Sequence, residues 1–382
     1  MNIGLIGVGK LGLAYALLFD QRGYSVWASS CRTEYIKELQ AKVVHTQEPG
    51  IQSLLTTSTI NFTVDNHEII KQCDFIYVMV ATPSHPEGDY DVSAVESVAK
   101  DLLSHPSSVA GKILVVGSTV NPGTCESLQS LLKCRGVHVI YCPTFSAQGT
   151  VLRNIQNPGI LSIGTEDNEL GEKCRSVFAR IVEPDTPIYI THPRTAEILK
   201  LAGNCRSTMQ ISFFNMIGQM LLKQGLRQDL DTAMLYLNFT KRNMQWDFGF
   251  GYGGPCYPRD NRSMVHWAKS QGLDYPLGRL IDDFNQQHVT FMVEWLIQDN
   301  TDMLPFYFEY ISYKPGVALF EESHQLLVAK KLLMRGCTVI VEKTNFLTPE
   351  IQSQLETEFG DLIAFENLAD THKRVYDVIN HL

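Results

Sequence analysis

The segment richest in potential chemistry is Phe248-Gly249-Phe250-Gly251-Tyr252-Gly253-Gly254-Pro255-Cys256-Tyr257-Pro258-Arg259-Asp260. Four glycines within six residues give a backbone that can wrap closely around a ligand. A cysteine at the end of such a loop is well placed as a nucleophile. Alone, the pattern is ambiguous, because most cysteines are small buried packing residues. The other eight cysteines are read that way. A second glycine cluster, Gly7-Val8-Gly9-Lys10-Leu11-Gly12, follows an apolar run directly and opens an amphipathic one. In that context Gly7 permits a tight turn and Gly9 lets the backbone approach a pyrophosphate. Gly12 allows close packing of helix on strand, and the helix N-terminus faces the phosphates. The context makes this a dinucleotide-binding turn rather than a chance spacing.

The end of the next apolar run tests that reading. An acid there normally binds the ribose 2′-hydroxyl, but the chain has Ser30, with Arg32 nearby. Serine and arginine suit a 2′-phosphate, which an acid would repel. The same residues also suit a neutral position and a solvated helix start, so NAD and NADP both stay open.

These segments need elements to hold them. Apolar runs at 3–6, 25–28, 75–80, 113–116 and 137–141 read as buried strands, with helical patterns between them such as 11–21 and 92–103. That alternation predicts an α/β fold, with a parallel sheet in an N-terminal Rossmann domain over residues 1–193. Residues 194–222 carry apolar positions at helical spacing without an internal proline, which predicts one long central helix. Such a helix commonly links domains and pairs with its own copy. The expected middle region, 194–300, is therefore helical and dimerising. Strand-like runs return at 306–311 and 337–341 around a helix at 325–333, predicting a smaller C-terminal α/β domain over 301–382.

Composition narrows the function. The chain has 382 residues, 44% hydrophobic and 19% charged, which supports a packed core. Its net charge of -9 argues against a nucleic-acid partner. No run approaches the roughly 20 apolar residues that span a bilayer. The N-terminus lacks the pattern of a secretory leader. Nine scattered cysteines without a CxxC pair fit reduced thiols and no metal site. The expectation is a soluble cytoplasmic oxidoreductase with no membrane partner.

The segment FGYGGPCYPRD resembles the active-site signature of the UDP-glucose/GDP-mannose dehydrogenase family. Other segments agree in order: GVGKLG with its cofactor turn, TQEPGIQSLL with its Glu-Pro-Gly segment, and VMVATPS, containing Thr82, with its strand-ending Thr-Pro. GSTVNPGT, containing Thr119, resembles its Ser-Thr-Val-x-Pro-Gly-Thr turn. The run from Ala196 to Asn204, followed by Ile211-Ser212-Phe213-Phe214-Asn215, resembles its central helix. The likeness is good to about residue 290 and loose beyond.

The resemblance implies oxidation of a nucleotide-sugar alcohol, of UDP-glucose type, to a carboxylate in two hydride transfers. Cys256 is implied as the group forming a thiohemiacetal and then a thioester. Lys200 and Asn204, one helical turn apart, would stabilise developing oxyanion charge. Asp260 would act with Lys200 on the first proton, and Thr119 would position water or the sugar hydroxyl. The cofactor would lie against residues 7–12 (Gly7, Val8, Gly9, Lys10, Leu11, Gly12), Ser30, Arg32, Thr82 and Thr119. The sugar nucleotide would meet Thr144, Phe145, Gln148, Lys200, Asn204, Phe248, Gly249, Phe250, Gly251, Tyr252, Gly253 and Lys314.

Departures matter as much. Where the family reads Pro-Glu-Phe and then an acid-glycine pair, this chain reads Pro143-Thr144-Phe145-Ser146-Ala147-Gln148-Gly149. Threonine cannot act as a base near neutral pH, and losing a general base costs roughly 10²–10⁴-fold. Tyr310 stands at a family glycine. Glu321 replaces the arginine of the family's Asp-Asp-x-Arg-Glu-Ser run, while Lys314 and Glu322-Ser323 persist. Three outcomes stay open: a four-electron dehydrogenase with slow hydrolysis, a two-electron NADP-dependent alcohol dehydrogenase or reductase, and a degraded nucleotide-sugar-binding protein.

Overall fold

The computed structural model describes residues 1–146, 149–238, 247–367 and 374–379. The chain divides into two compact units, Met1–Leu201 and Ala202–Leu382.

The first unit is built on eight strands: β1 (Asn2–Ile6), β2 (Ser25–Ser29), β3 (Asn61–Thr63), β4 (Phe75–Val78), β5 (Ile113–Val116), β6 (His138–Tyr141), β7 (Leu161–Gly164) and β8 (Ile188–Thr191). Their order is β3-β2-β1-β4-β5-β6-β7-β8. The first six are mutually parallel, with the strand reversal of a doubly wound dinucleotide fold between β1 and β4. Period-two alternation explains why the sheet is apolar on both faces. Phe75 and Tyr77 of β4 join one core cluster, Ile76 and Val78 the other, and β5 divides in the same way. The all-parallel expectation fails at one place: β7 runs antiparallel to β6, through the pair Tyr141 and Gly164. Strands β3, β7 and β8 were not foreseen. Strand β3 has only three residues, whereas β7 and β8 match β4–β6 in length.

The long helix spans Pro193–Lys223, close to the expected 194–222. A proline at its start is favourable, because the first N–H has no intrahelical partner. The second unit contains the helices Leu230–Asn238, Tyr257–Ser270 and Pro276–Asp299. It closes on a parallel sheet of β9 (Phe306–Phe308), β10 (Val339–Glu342), β11 (Ile363–Glu366) and β12 (Tyr376–Asp377), in the order β11-β10-β9-β12. Its core joins Phe214, Phe248 and Met292 to Phe308, Leu332 and Val341. Among the described residues, no helix is long and apolar enough to cross a membrane.

Candidate active site

The dinucleotide turn has the geometry its glycines require. Gly7 adopts φ +97°, and a Cβ there would lie 2.5 Å from the Met79 carbonyl oxygen. A Cβ on Gly12 would lie 2.2 Å from the Gly7 oxygen, so the helix Lys10–Gln21 sits directly on the turn. Gly9 differs: a Cβ there would meet nothing within 4 Å. The backbone N–H groups of Gly7 and Val8 both donate to Ser29 O at 3.0 Å. The helix begins at Gly9, an N-cap with no side chain of its own to cover the N-terminal N–H groups, which suits an anionic ligand. Lys10 is exposed beside it, Leu11 is half-buried and Val8 is fully buried. Ser30 follows β2, and its Oγ accepts the Arg32 N–H at 3.4 Å. Arg32 is exposed, with its guanidinium 4.2 Å from the Tyr35 ring centre.

At the ends of β4 and β5, the Thr82 hydroxyl donates to the Thr119 carbonyl at 2.7 Å, and Ser118 donates to Val80 O at 2.7 Å. The two turns are thus stitched together beside the glycine turn's own sheet edge. The following helix, Thr124–Leu132, receives the carboxylate of Glu197 from the long helix. Glu197 accepts the N–H groups of Gly123 at 2.5 Å and Cys125 at 2.9 Å. Burial raises its carboxyl pKa, and those two bonds partly oppose the shift. Glu48, from the Glu-Pro-Gly segment, does the same for the helix Val151–Gln156. It accepts from Gly149 at 2.5 Å and Val151 at 3.1 Å. Both glutamates lie in segments that carry the family resemblance, but their capping role has no local signal, because each lies far in sequence from the helix it caps.

Thr144 follows β6, and its hydroxyl lies 2.8 Å from Ser146 Oγ. It also hydrogen-bonds the buried Tyr15, whose phenol pKa is raised by burial, with the Thr144 bond opposing. The position therefore carries neutral hydroxyls and no carboxylate. Gln148 lies outside the described residues. Lys200, on the long helix, is 6% exposed rather than solvated, with Nζ 4.8 Å from the Phe145 ring centre.

In the second unit the structure brings Asn204, Asp260 and Cys256 into one arrangement. Asn204 Nδ2 donates to Asp260 Oδ2 at 2.6 Å, and Arg259 Nε stands 3.9 Å from the other oxygen. Asp260 is 1% exposed, and its N–H donates to Cys256 O at 2.8 Å. Cys256 is exposed and occupies the N-cap of the helix Tyr257–Ser270. The partial positive charge of a helix N-terminus favours an anionic sulfur there. Neighbouring Cys205 differs: burial, then the Asp260 charge, push its thiol up to about 12.

The glycine loop departs from the expectation of a backbone wrapped on a ligand. Its glycines are mostly used against protein. A Cβ on Gly251 would lie 2.1 Å from Asn285 Oδ1, one on Gly253 2.1 Å from Glu322 O, and one on Gly254 2.6 Å from the Tyr313 ring. Only Gly249 among the four meets nothing. Phe248 and Tyr252 are buried, and Phe250 packs near Phe308 and His324. Their side chains point into the unit, leaving mainly backbone to offer a ligand. His288, missed in the sequence, holds this loop. Its Nε2 meets Gly249 O at 2.7 Å and its Nδ1 meets Gln219 Nε2 at 2.7 Å. Burial pushes the His288 pKa down to about 4, and that of adjacent His324 well below the usual value. Lys314 is half-buried, with Nζ 5.7 Å from the Tyr313 ring centre. Among the described residues, no group of three or more His, Cys, Asp or Glu is placed to hold a metal ion.

Comparison with known proteins agrees with this geometry. The NAD-binding domain of the UDP-glucose/GDP-mannose dehydrogenase family matches residues 1–182, and that family's central domain matches residues 194–287. The UDP-glucose 6-dehydrogenase of Pseudomonas aeruginosa is 26% identical over 356 residues, covering 89% of this chain and 78% of the relative. The GDP-mannose 6-dehydrogenase of Pseudomonas savastanoi is 26% identical over 365 residues, covering 90% of this chain and 81% of the relative. The structure of a UDP-glucose dehydrogenase from the archaeon Pyrobaculum islandicum superposes with a TM-score of 0.79 at 25% identity, covering 95% of this chain and 85% of that one. With the turn, the central helix and the cysteine loop all in place, the chain belongs to the UDP-glucose/GDP-mannose dehydrogenase family, oxidoreductases with an N-terminal NAD-binding domain.

Proposed function

We propose that the chain oxidises the primary alcohol of a nucleotide-linked sugar through a covalent bond to Cys256, and that the last step, thioester hydrolysis, is slow. One observation carries this reading: an exposed thiol caps a helix whose first turn is anchored by the Asn204–Asp260 bond of 2.6 Å, while the position that should activate water bears Thr144. The open face at Gly9 and a helix start whose N-cap has no side chain fit a bound dinucleotide, which supplies the hydride acceptor. Gly7, Val8, Gly9, Lys10, Leu11 and Gly12 hold its pyrophosphate, Ser30 and Arg32 its adenine ribose, and Thr82 and Thr119 line the remainder.

The residues then act in sequence. Asp260 with Lys200 takes the proton of the sugar hydroxyl as the first hydride leaves. The Cys256 sulfur adds to the aldehyde carbon and the carbonyl oxygen gains a proton, giving a thiohemiacetal. Lys200 and Asn204 stabilise its oxygen while charge develops. Loss of the second hydride, to a second oxidised dinucleotide that replaces the first, and of the hydroxyl proton gives a thioester, which water must cleave to release acid and regenerate the thiol. Thr144 and Ser146 orient that water but do not deprotonate it, and Gln148 adds no base. Phe145, the backbone of 248–253 and Lys314 contact the sugar nucleotide. UDP-sugars lead the candidates, because relatives act on UDP-glucose by name. The divisions 1–193, 194–300 and 301–382 correspond to cofactor, pairing and nucleotide-sugar functions. Leu199, Met209, Phe213 and Met220 are exposed along the long helix, which supports a homodimer.

The test is a panel of UDP- and GDP-sugars with NAD and with NADP, following cofactor absorbance, product mass and intact protein mass. A persistent adduct on Cys256 or released aldehyde is expected, with more acid from Thr144→Glu and none from Cys256→Ser. Acid formed by the unmodified chain at ordinary rates, roughly 1–10³ s⁻¹, overturns the slow-hydrolysis reading. The serine and arginine at the ribose support NADP or a relaxed preference. NAD binding tighter than NADP by about tenfold or more, which is 1.4 kcal/mol, ends that part.

A further inference from the structure

Glu322 is one of three non-glycine residues with positive φ among the described residues, at φ 46°. A glutamate there is strained, because its Cβ crowds the backbone. What surrounds it explains why the strain persists. Arg262 Nη1 and Nη2 donate to the two Glu322 oxygens at 2.8 and 2.7 Å, a bidentate fork. Arg262 stands on the helix that Cys256 caps, and its Nε reaches Asp282 at 3.3 Å. Asp282 also accepts from Asn261 Nδ2 at 2.8 Å and from the Tyr252 hydroxyl. On its main-chain side, the Glu322 carbonyl fills the space beside Gly253 that a side chain would need, and the Glu321 carbonyl accepts the Gly254 N–H at 2.9 Å.

The strained turn therefore touches the two glycines just before Pro255-Cys256, and its side chain grips the helix just after. An isolated pair with side chains 47% and 36% exposed would contribute little. This one ties a costly backbone to a network that reaches both flanks of the thiol.

We infer that Arg262 and Glu322 are positioning residues for Cys256: the fork holds Glu322 in its strained conformation, and Glu322 fixes the 253–254 turn that sets the sulfur at the helix start. This rests on the reading of Cys256 as the nucleophile.

The experiment follows alkylation of Cys256 by iodoacetamide over a pH series, by peptide mass, with exposed Cys31 and Cys134 as internal references. Arg262→Lys keeps the charge but loses the fork. Arg262→Lys and Glu322→Gln are both expected to slow Cys256 alkylation about tenfold and move its pH profile upward, leaving Cys31 and Cys134 unchanged. Glu322→Gly removes the carboxylate but adopts the left-handed backbone freely, so it should recover to within about threefold of the unmodified chain. Wild-type rates in Arg262→Lys or Glu322→Gln overturn the inference. So does a Glu322→Gly variant as slow as Glu322→Gln, which would mean the carboxylate acts directly and not through the backbone. Unimpaired turnover by Cys256→Ala would instead end the nucleophile reading, while the alkylation rates would still decide the positioning role.

Discussion

The turn at residues 7–12 and the loop at residues 249–254 are both glycine-rich, and both attract a functional reading, yet they spend their missing side chains differently. In the turn, Gly7 and Gly12 allow chain to lie on chain, while Gly9 keeps a face clear. In the loop, Gly251, Gly253 and Gly254 are all consumed by contacts with Asn285, Glu322 and Tyr313. One segment leaves a stretch of backbone open. The other makes room for the rest of its own unit, so that a single thiol is presented in a fixed place. Glycine content alone does not separate these uses; the neighbours of each absent Cβ do.

The sharpest way to break this contrast is Gly253→Ala. The added methyl would lie 2.1 Å from a main-chain oxygen that has no rotamer to escape into. A loss of about 2–4 kcal/mol is expected from overpacking plus backbone displacement, read by denaturant unfolding. An unchanged midpoint would mean the loop is looser than the packing implies.

Next in size is acid sensitivity of the loop's grip. His288 has its pKa lowered from 6.5 to about 4, so the unfolded chain binds the proton more readily between those values. The stability is complete above about pH 6.5 and is lost as pH falls toward 4, by about 3 kcal/mol for this one group. His324 shifts in the same direction and steepens the loss. A flat pH dependence of the unfolding midpoint across that range contradicts the neutral-histidine grip.

Gly12→Ala should cost about 1–3 kcal/mol, because the helix must lift off the turn to admit a methyl 2.2 Å from Gly7 O. Gly9→Ala sharpens the comparison with the smallest effect on folding. Stability should stay within about 0.5 kcal/mol, since nothing crowds the new methyl. Dinucleotide binding, by calorimetric titration, should nevertheless weaken by about tenfold or more, the 1.4 kcal/mol expected when a backbone is held off a phosphate. If both stability and binding are untouched, the clear face at Gly9 does not receive the cofactor.

Much of the first unit could be read in advance because its signals are local. A Val- and Ile-rich run, three spaced glycines and an amphipathic stretch define β1, the turn and the first helix within 21 residues of chain. The long helix is legible for the same reason: its apolar period runs through a contiguous stretch without an internal proline. Strand β3 is only Asn61–Thr63 and β12 only Tyr376–Asp377. Runs so short carry no periodicity, and partner strands impose their conformation. The same division holds at the site. Cys256, Lys200, Asn204 and Asp260 stand out by residue type in a recognisable order, and the structure adds the Asn204–Asp260 bond. The burial of Phe248 and Tyr252, the grip of His288 and the strain at Glu322 depend on residues distant in sequence, which no spacing rule connects.

Glu48 and Glu197 have a consequence for how the first unit behaves in a crowded solution of phosphates and carboxylates. Each covers a helix start with an oxyanion that belongs to the chain itself. A free anion would have to compete with a tethered one, whose effective concentration at its site is of millimolar order or above without any gain in contact strength. Those two helix ends are thereby insulated from metabolite anions. The helix Lys10–Gln21 instead starts on Gly9, which has no side chain of its own to place there. For Glu197 that insulation loosens on acidification, when its buried carboxylate takes up a proton.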